Sequence, residues 1–248
     1  MGFFIRLSVV LGLFFFAGFG AQGAAPGDSA GIVLESTRVI YPESEKKGIT
    51  FTVTNRTGQT YLLQSRVVPW GSAQLPSQTP KAAPFIVVPP LTRFAPDDAL
   101  TLRIRLTKND LPTDRESVFW LSLKAIPSQS APGSSSEEGA KMVLALQNNL
   151  KLFYRPAELV AMEPEARAEA LQFTRQGTQL SVHNPTPYYV TLGEVKTGSE
   201  AIALGEQRML APFSTTGFNS PVTQSTSLSW HIIDDNGRHT PRQSRSLN

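Results

Sequence analysis

From Gly31 onward the chain alternates apolar and polar residues with a period of two, and this periodicity restricts the fold more than any single motif. Ile49, Phe51 and Val53 interleave with Thr50, Thr52 and Thr54, while Leu100, Leu102, Ile104 and Leu106 interleave with Thr101, Arg103, Arg105 and Thr107. Successive side chains of an extended chain point to opposite faces, so these runs predict strands with one buried and one wet face. Further strands are predicted from Val118 to Ile126 and from Met142 to about Tyr154. A second series contains Leu180 with Val182, Val190 with Leu192, and Leu228 with Trp230 and Ile232. Pro96-Asp97-Asp98, Asn184-Pro185 and Asn236-Gly237 supply turns between strands. The 19 Pro and 18 Gly among 248 residues argue against long helices and for an all-β chain. The pattern breaks at Pro156, and Ala157 to Ala170 reads as a helix-tolerant elbow interrupted by Pro164. Two tandem β-sandwiches are therefore expected, over residues 31–155 and 156–248.

The amino-terminal segment reads as an export signal. Arg6 precedes an apolar run from Leu7 to Phe19, followed by Ala21-Gln22-Gly23, the small-x-small form that signal peptidase accepts. Gly12, Gly18 and Gly20 interrupt a run shorter than the roughly 20 residues a spanning helix needs, so residues 1–23 are expected to be removed and no stable membrane insertion follows. The chain has no Cys, which excludes thiol catalysis, Cys-ligated zinc and disulfide stapling. A net charge of +3 without a basic block gives no reason to expect nucleic-acid binding.

Enzymatic signatures are lacking. There is no phosphate-cradling loop ending in Lys-Ser or Lys-Thr, no His-Glu-x-x-His helix, and the three His at 183, 231 and 239 are scattered. Gly27-Asp28-Ser29-Ala30-Gly31 has the Gly-x-Ser-x-Gly form of a hydrolase elbow, but no strand precedes it to build the required strained turn. It reads as a leader. Ser128 to Gly139, with five Ser and two Gly and no periodicity, reads as a loop between two patterned strands.

The specific signal lies in ALQNNLKLFYRP from Ala145 to Pro156 and DRESVFW from Asp114 to Trp120, supported by LESTRVIYPESEKKGITFTVTN from Leu34, Pro89-Pro90, NPTPYY from Asn184 and IDDNG from Ile233. Over nearly the whole chain beyond the leader, this set resembles the periplasmic pilus chaperones of the PapD family, which escort fimbrial subunits to an outer-membrane usher. The resemblance implies two immunoglobulin-like sandwiches at an angle with a cleft between them. It also implies a non-enzymatic periplasmic protein that needs neither cofactor nor nucleotide. A self-assembling, Ig-like adhesion or structural subunit is the alternative; it requires an alternating apolar donor segment, which Ala24 to Gly31 lacks.

What such a chaperone does follows from strand chemistry. A subunit missing its last strand exposes a groove and unpaired backbone, and a lent strand supplies both hydrogen bonds and side chains. By resemblance, Met142, Leu144 and Leu146 fill the groove, with Val143 and Ala145 packing inward. Arg38 and Lys151 match the basic pair that holds the subunit's terminal carboxylate, each charge-assisted bond contributing about 1.5 to 3 kcal/mol. In an unbroken strand Lys151 lies on the face opposite the three apolar residues, so a twist or bulge is expected to reconcile them. Glu116, Arg155 and Asp235 match an interdomain ion cluster. Arg66 stands where a large aromatic is usual, and altered packing around Trp70 is expected to accompany it.

Overall fold

The computed structural model describes residues 31–71, 83–128, 144–220 and 227–246. The leader, Ser29, Met142, Val143 and nearly all of the Ser128–Gly139 stretch lie outside these residues. The first unit contains β1 (Ile32–Leu34), β2 (Arg38–Pro42), β3 (Ile49–Asn55), β4 (Tyr61–Pro69), β5 (Phe85–Val88), β6 (Leu91–Phe94), β7 (Ala99–Leu106), β8 (Ser117–Pro127) and β9 (Leu146–Arg155). They form a four-stranded sheet, β1-β3-β7-β5, and a five-stranded sheet, β2-β9-β8-β4-β6. The period-two pattern explains the sandwich directly. Phe51, Val53, Leu102 and Ile104 from one sheet meet Leu121, Leu123 and Leu152 from the other, all essentially without solvent access.

The second unit begins with α1 (Pro164–Ala170) and continues through β10 (Gln172–Gln176), β11 (Gln179–Asn184), β12 (Val190–Thr197), β13 (Glu200–Ala201), a 3-10 turn at Gly205–Arg208, β14 (Met209–Leu210), β15 (Ser214–Asn219), β16 (Ser227–Ile233) and β17 (Gln243–Ser246). Its sheets run β10-β11-β15 and β13-β12-β16-β17, with β14 also pairing β12. Leu180, Val182, Leu192, Leu228, Trp230 and Ile232 fill its core. The all-β, two-sandwich architecture is thus as the periodicity predicts. Pro164 is a correction: it starts the helix instead of interrupting it, because the first helical position needs no backbone N–H. Ala168 and Leu171 then cap the second core, and the Trp230 indole donates to the Ala168 carbonyl at 2.9 Å.

The same turn recurs in both units. Asn55 Oδ1 accepts from the Thr57 N–H and hydroxyl, and Asn184 Oδ1 accepts from the Thr186 N–H and hydroxyl. Each Asn amide is buried and also ties down neighbouring carbonyls, Phe94 and Ala95 in one unit, Tyr188 and Ala211 in the other. The second of these turns carries Tyr188 and Tyr189 to the boundary between the sandwiches.

Candidate functional site

The strand β9 is half covered. On one side β8 pairs with it from Leu146 to Tyr154, whereas on the other β2 pairs only with Lys151–Arg155, in parallel. The cause is a change of sheet: β1 belongs to the opposite sheet, residues 35–37 cross the gap, and β2 reaches β9 only at Arg38. Among the described residues, Leu146 to Leu150 therefore presents one open edge, the arrangement that invites another strand.

The faces of β9 divide cleanly. Leu150, Leu152 and Tyr154 point into the core, and by the same alternation Leu146 and Leu144 share that face. They have run past the end of the sandwich, however, and are 51% and 65% exposed. Two expectations are corrected here. Ala145 does not pack inward; it is exposed and, by the same alternation, lies on the outer face of the strand, which it shares with Lys151. No bulge interrupts the β8–β9 register, so Lys151 stays on the face opposite the leucines. The apolar and cationic sets thus use the two faces of one unbulged strand.

On that second face the registers align one row across four strands: Val68 opposite Trp120, Trp120 opposite Lys151, and Lys151 opposite Arg38. Trp70, just past the end of β4, stacks on Trp120 with ring centroids 4.2 Å apart, and the Lys151 ammonium lies 5.7 Å from the Trp70 ring centre. Arg38 Nη1 donates to the Ile233 carbonyl at 3.2 Å, while Arg38 Nε and the Trp120 indole N–H are buried without partners among the described residues. Burial, and then the charges of Arg38 and Arg208, bring the Lys151 amine down to about 8. No carboxylate pairs with Lys151 among the described residues. Apart from Arg38 Nη1, these are uncommitted cationic and N–H donors, a chemistry suited to receiving an anion. It adjoins an open cavity of about 590 Å³ lined by Trp70 on one side and by Tyr189, Glu206, Gln207, Met209 and Thr215 of the second unit on the other. Arg66 is exposed, and the aromatic packing here belongs to Trp70 and Trp120.

Below this row the units are joined by charge. Glu116, 3% exposed, accepts from Arg155 Nε at 2.8 Å and from the Tyr189 N–H at 2.9 Å, and Arg155 Nη2 reaches Asp235 at 3.0 Å. The structure also adds Arg167 to the cluster, which the sequence reading missed. Its guanidinium meets both Asp235 oxygens at 3.0 and 3.2 Å and lies 4.2 Å from the Tyr188 ring centre. The only sequence cue was a basic residue in the last turn of a short helix, where it favours the helix dipole whether or not it has a partner. Burial pushes the Glu116 carboxyl up. Burial also works upward on Asp235, but the hydrogen bonds and charges of Arg167 and Arg155 outweigh it and hold that carboxyl below the ordinary range.

The turn between β16 and β17 presses on the start of β2. Gly237 has φ 82°, and a Cβ there would collide with the Thr37 hydroxyl, one residue before Arg38. At the base of the same hairpin His231 and His239, read separately in the sequence, stack with centroids 4.4 Å apart. No group of His, Asp and Glu able to hold a metal ion occurs among the described residues.

Two family descriptions match this chain: "Pili and flagellar-assembly chaperone, PapD N-terminal domain" over residues 31–160, and "Pili assembly chaperone PapD, C-terminal domain" over residues 166–244. The chain belongs to the PapD family of pilus-assembly chaperones. It is similar to the chaperone protein FimC of Escherichia coli K12, with 35% identity over 239 residues that span 96% of this chain and 92% of FimC. Its fold is similar to that in the solved Salmonella enterica SafA pilin–SafB chaperone complex, with TM-score 0.74 and 32% identity over 87% of this chain and 96% of that one. It also resembles the periplasmic chaperone SfaE, with TM-score 0.69 and 31% identity over 88% of this chain and all of that one. For a PapD-family chain, an open strand edge beside an anion site is the feature to be explained. No helix among the described residues is long and apolar enough to cross a membrane.

Proposed function

We propose that this chain is a periplasmic chaperone that captures fimbrial subunits on the open edge of β9 and hands them to an outer-membrane usher. The observation that carries the reading is the position of Leu144 and Leu146, exposed on the core-facing side of a strand whose edge is unpaired from Leu146 to Leu150. A subunit lacking its own last strand gains backbone hydrogen bonds from that edge, and its groove receives the leucines, with Met142 continuing the series. Arg38 and Lys151 grip the subunit's terminal carboxylate, which fixes the register at which the edge is used. The strand delivers groove residues and anchor on opposite faces, so the captured chain lies along the edge with its terminus turned into the cleft.

Glu116, Arg155, Asp235 and Arg167 hold the two units, 31–155 and 156–248, in the relation that keeps the anchor open while no subunit is bound. SafB, solved with the SafA pilin, and SfaE, described as periplasmic, support the partner class and the compartment by similarity. Capture by strand addition is a binding equilibrium with no bond made or broken, so the reading includes no catalysis, nucleotide or cofactor.

The test is co-purification from periplasm with mass spectrometry of the bound partner. Wild-type chaperone is expected to carry a fimbrial subunit, and Lys151→Met and Leu146→Glu to carry none. Equal subunit recovery from both variants would overturn the reading.

A further inference from the structure

The anchor as described leaves one residue unexplained. Trp70 is 40% exposed on the wall of the cleft, stacks on Trp120, and sets its ring against the Lys151 ammonium. Neither β4 nor the first core requires Trp70, because Val67 and Leu63 already supply the inward packing of that strand.

We propose that Trp70 is a positioning residue of the carboxylate anchor: its ring holds the Lys151 ammonium in the cleft, out of bulk water, without occupying any of its N–H donors. The proposal deepens the anchor reading above and rests on it. Three observations converge. The register places Trp120, Lys151 and Arg38 side by side, so a ring stacked on Trp120 necessarily lies over the lysine's row. A ring face attracts a cation through its quadrupole but accepts no conventional hydrogen bond, so the ammonium is steadied yet remains unspent. Arg38 Nε and the Trp120 indole N–H, on either side, are likewise buried and unpartnered among the described residues. A carboxylate entering such a site meets donors already stripped of water and already aimed, which is how preorganisation strengthens an anion contact.

The groups facing Lys151 are Arg38 from β2, Arg208 from the 3-10 turn of the second unit, and the Trp70 ring. Both charges are like charges. The ring's quadrupole favours the ammonium, but its exclusion of water disfavours it more, burial being the largest cause of the lowered titration.

The experiment uses the full mature chaperone and a synthetic peptide of alternating Val and Thr, made once with a free terminal carboxylate and once as the amide. Two quantities are read: the ratio of the two Kd values at pH 7, and the Lys151 side-chain titration by NMR, assigned with Lys151→Met. Wild type is expected to prefer the carboxylate. Trp70→Ala is expected to reduce that preference about fivefold, the loss of one cation–ring contact and the water exclusion with it, and to move the lysine titration from about 8 back toward 10.5. Trp70→Phe, which keeps a ring, is expected to retain most of both. Unfolding midpoints of the variants show that the fold is kept. If Trp70→Ala changes neither the preference nor the titration while Lys151→Met abolishes the preference, Trp70 has no positioning role and the anchor stands. If wild type does not distinguish carboxylate from amide, the anchor itself is refuted and this proposal with it.

Discussion

Arg38 and Lys151 are direct register partners in the parallel pairing of β2 with β9. Adjacent strands lie about 4.8 Å apart, so two cations are fixed side by side on one face, half-buried, with no carboxylate between them among the described residues. Like charges opposite one another weaken a sheet, and burial adds to the cost. A fold under selection for stability alone has no reason to keep this pair, and an anion-binding site does.

It follows that Lys151→Met stabilises the free chaperone. The thioether keeps the packing of the aliphatic stem while removing the buried charge and the repulsion from Arg38. A gain of about 1 kcal/mol is expected in denaturant unfolding, together with loss of subunit protection in a proteolysis assay. A destabilised Lys151→Met would show that the charge has a stabilising partner.

The depressed Lys151 pKa gives two pH dependences of opposite sign. On the proposed anchor, capture needs the ammonium, so affinity for the subunit is expected to be level below about 8 and to weaken as pH rises above it. For folding, the unfolded lysine titrates near 10.5 and the folded one near 8, so between these values the unfolded chain holds more protons and stability rises with pH. Lys151→Met removes both slopes. Binding isotherms and urea titrations at pH 7, 8.5 and 10 read them separately, and a capture affinity that strengthens above pH 8 is incompatible with an ammonium anchor.

Two leucines four residues apart on one strand face should behave oppositely. Leu146→Glu, at a half-exposed position, is expected to leave the unfolding midpoint nearly unchanged and to abolish capture. Leu150→Glu, 7% exposed within the first core, is expected to lose about 3 kcal/mol or more and to fail in export. Similar destabilisation by both would mean that Leu146 is part of this protein's own core.

The contrast also shows what the sequence could reveal. Strands such as β3, β7 and β16 were legible because period-two patterning is a local property that each run carries by itself. That Leu146 is exposed and Leu150 buried was not legible from pattern, since both are leucines on the same face; what differs is whether a second sheet reaches that height. Ala145 was misread because the inward side of β9 was assigned to it, whereas that side belongs to Leu144 and Leu146. Arg38, Lys151, Glu116, Arg155 and Asp235 were picked out only by family resemblance, as nothing in the spacing of residues 38 and 151 announces that they are neighbours. Arg167 escaped notice, and Trp70 was noticed only for packing near Arg66 and not as a neighbour of Lys151, because their partners lie 68 and 81 positions away, across a contact that no periodicity encodes.

The ion cluster allows a direct test of its role between the units. Asp235→Asn leaves Arg155 and Arg167 without their shared carboxylate, and breaking a partly buried pair from one side is expected to cost about 2 kcal/mol. The asparagine keeps the shape, so the loss reports charge. Small-angle scattering is expected to show a broadened distribution of interdomain arrangements with both sandwiches intact. An unchanged scattering curve would mean that the hydrophobic contact of Phe153 with Tyr189 suffices to hold the units together.

Gly237 brings the second unit against the start of β2, next to Arg38 of the proposed anchor. Its φ of 82° is unfavourable for any residue with a Cβ, and that Cβ would meet the Thr37 hydroxyl, immediately before Arg38. The same hairpin presents the Ile233 carbonyl that receives Arg38 Nη1. Gly237→Ala is therefore expected to lower stability by about 1 to 2 kcal/mol through backbone strain and to reduce capture further than that loss explains, because the hairpin retreats and Arg38 loses its support. Thr37→Ala in the same chain removes the collision but leaves the strained φ. The double variant should recover most of the capture while regaining only part of the stability, and this split between two measurements separates a displaced anchor from a merely weakened fold. If capture in Gly237→Ala tracks stability alone and Thr37→Ala restores neither, the hairpin does not position Arg38.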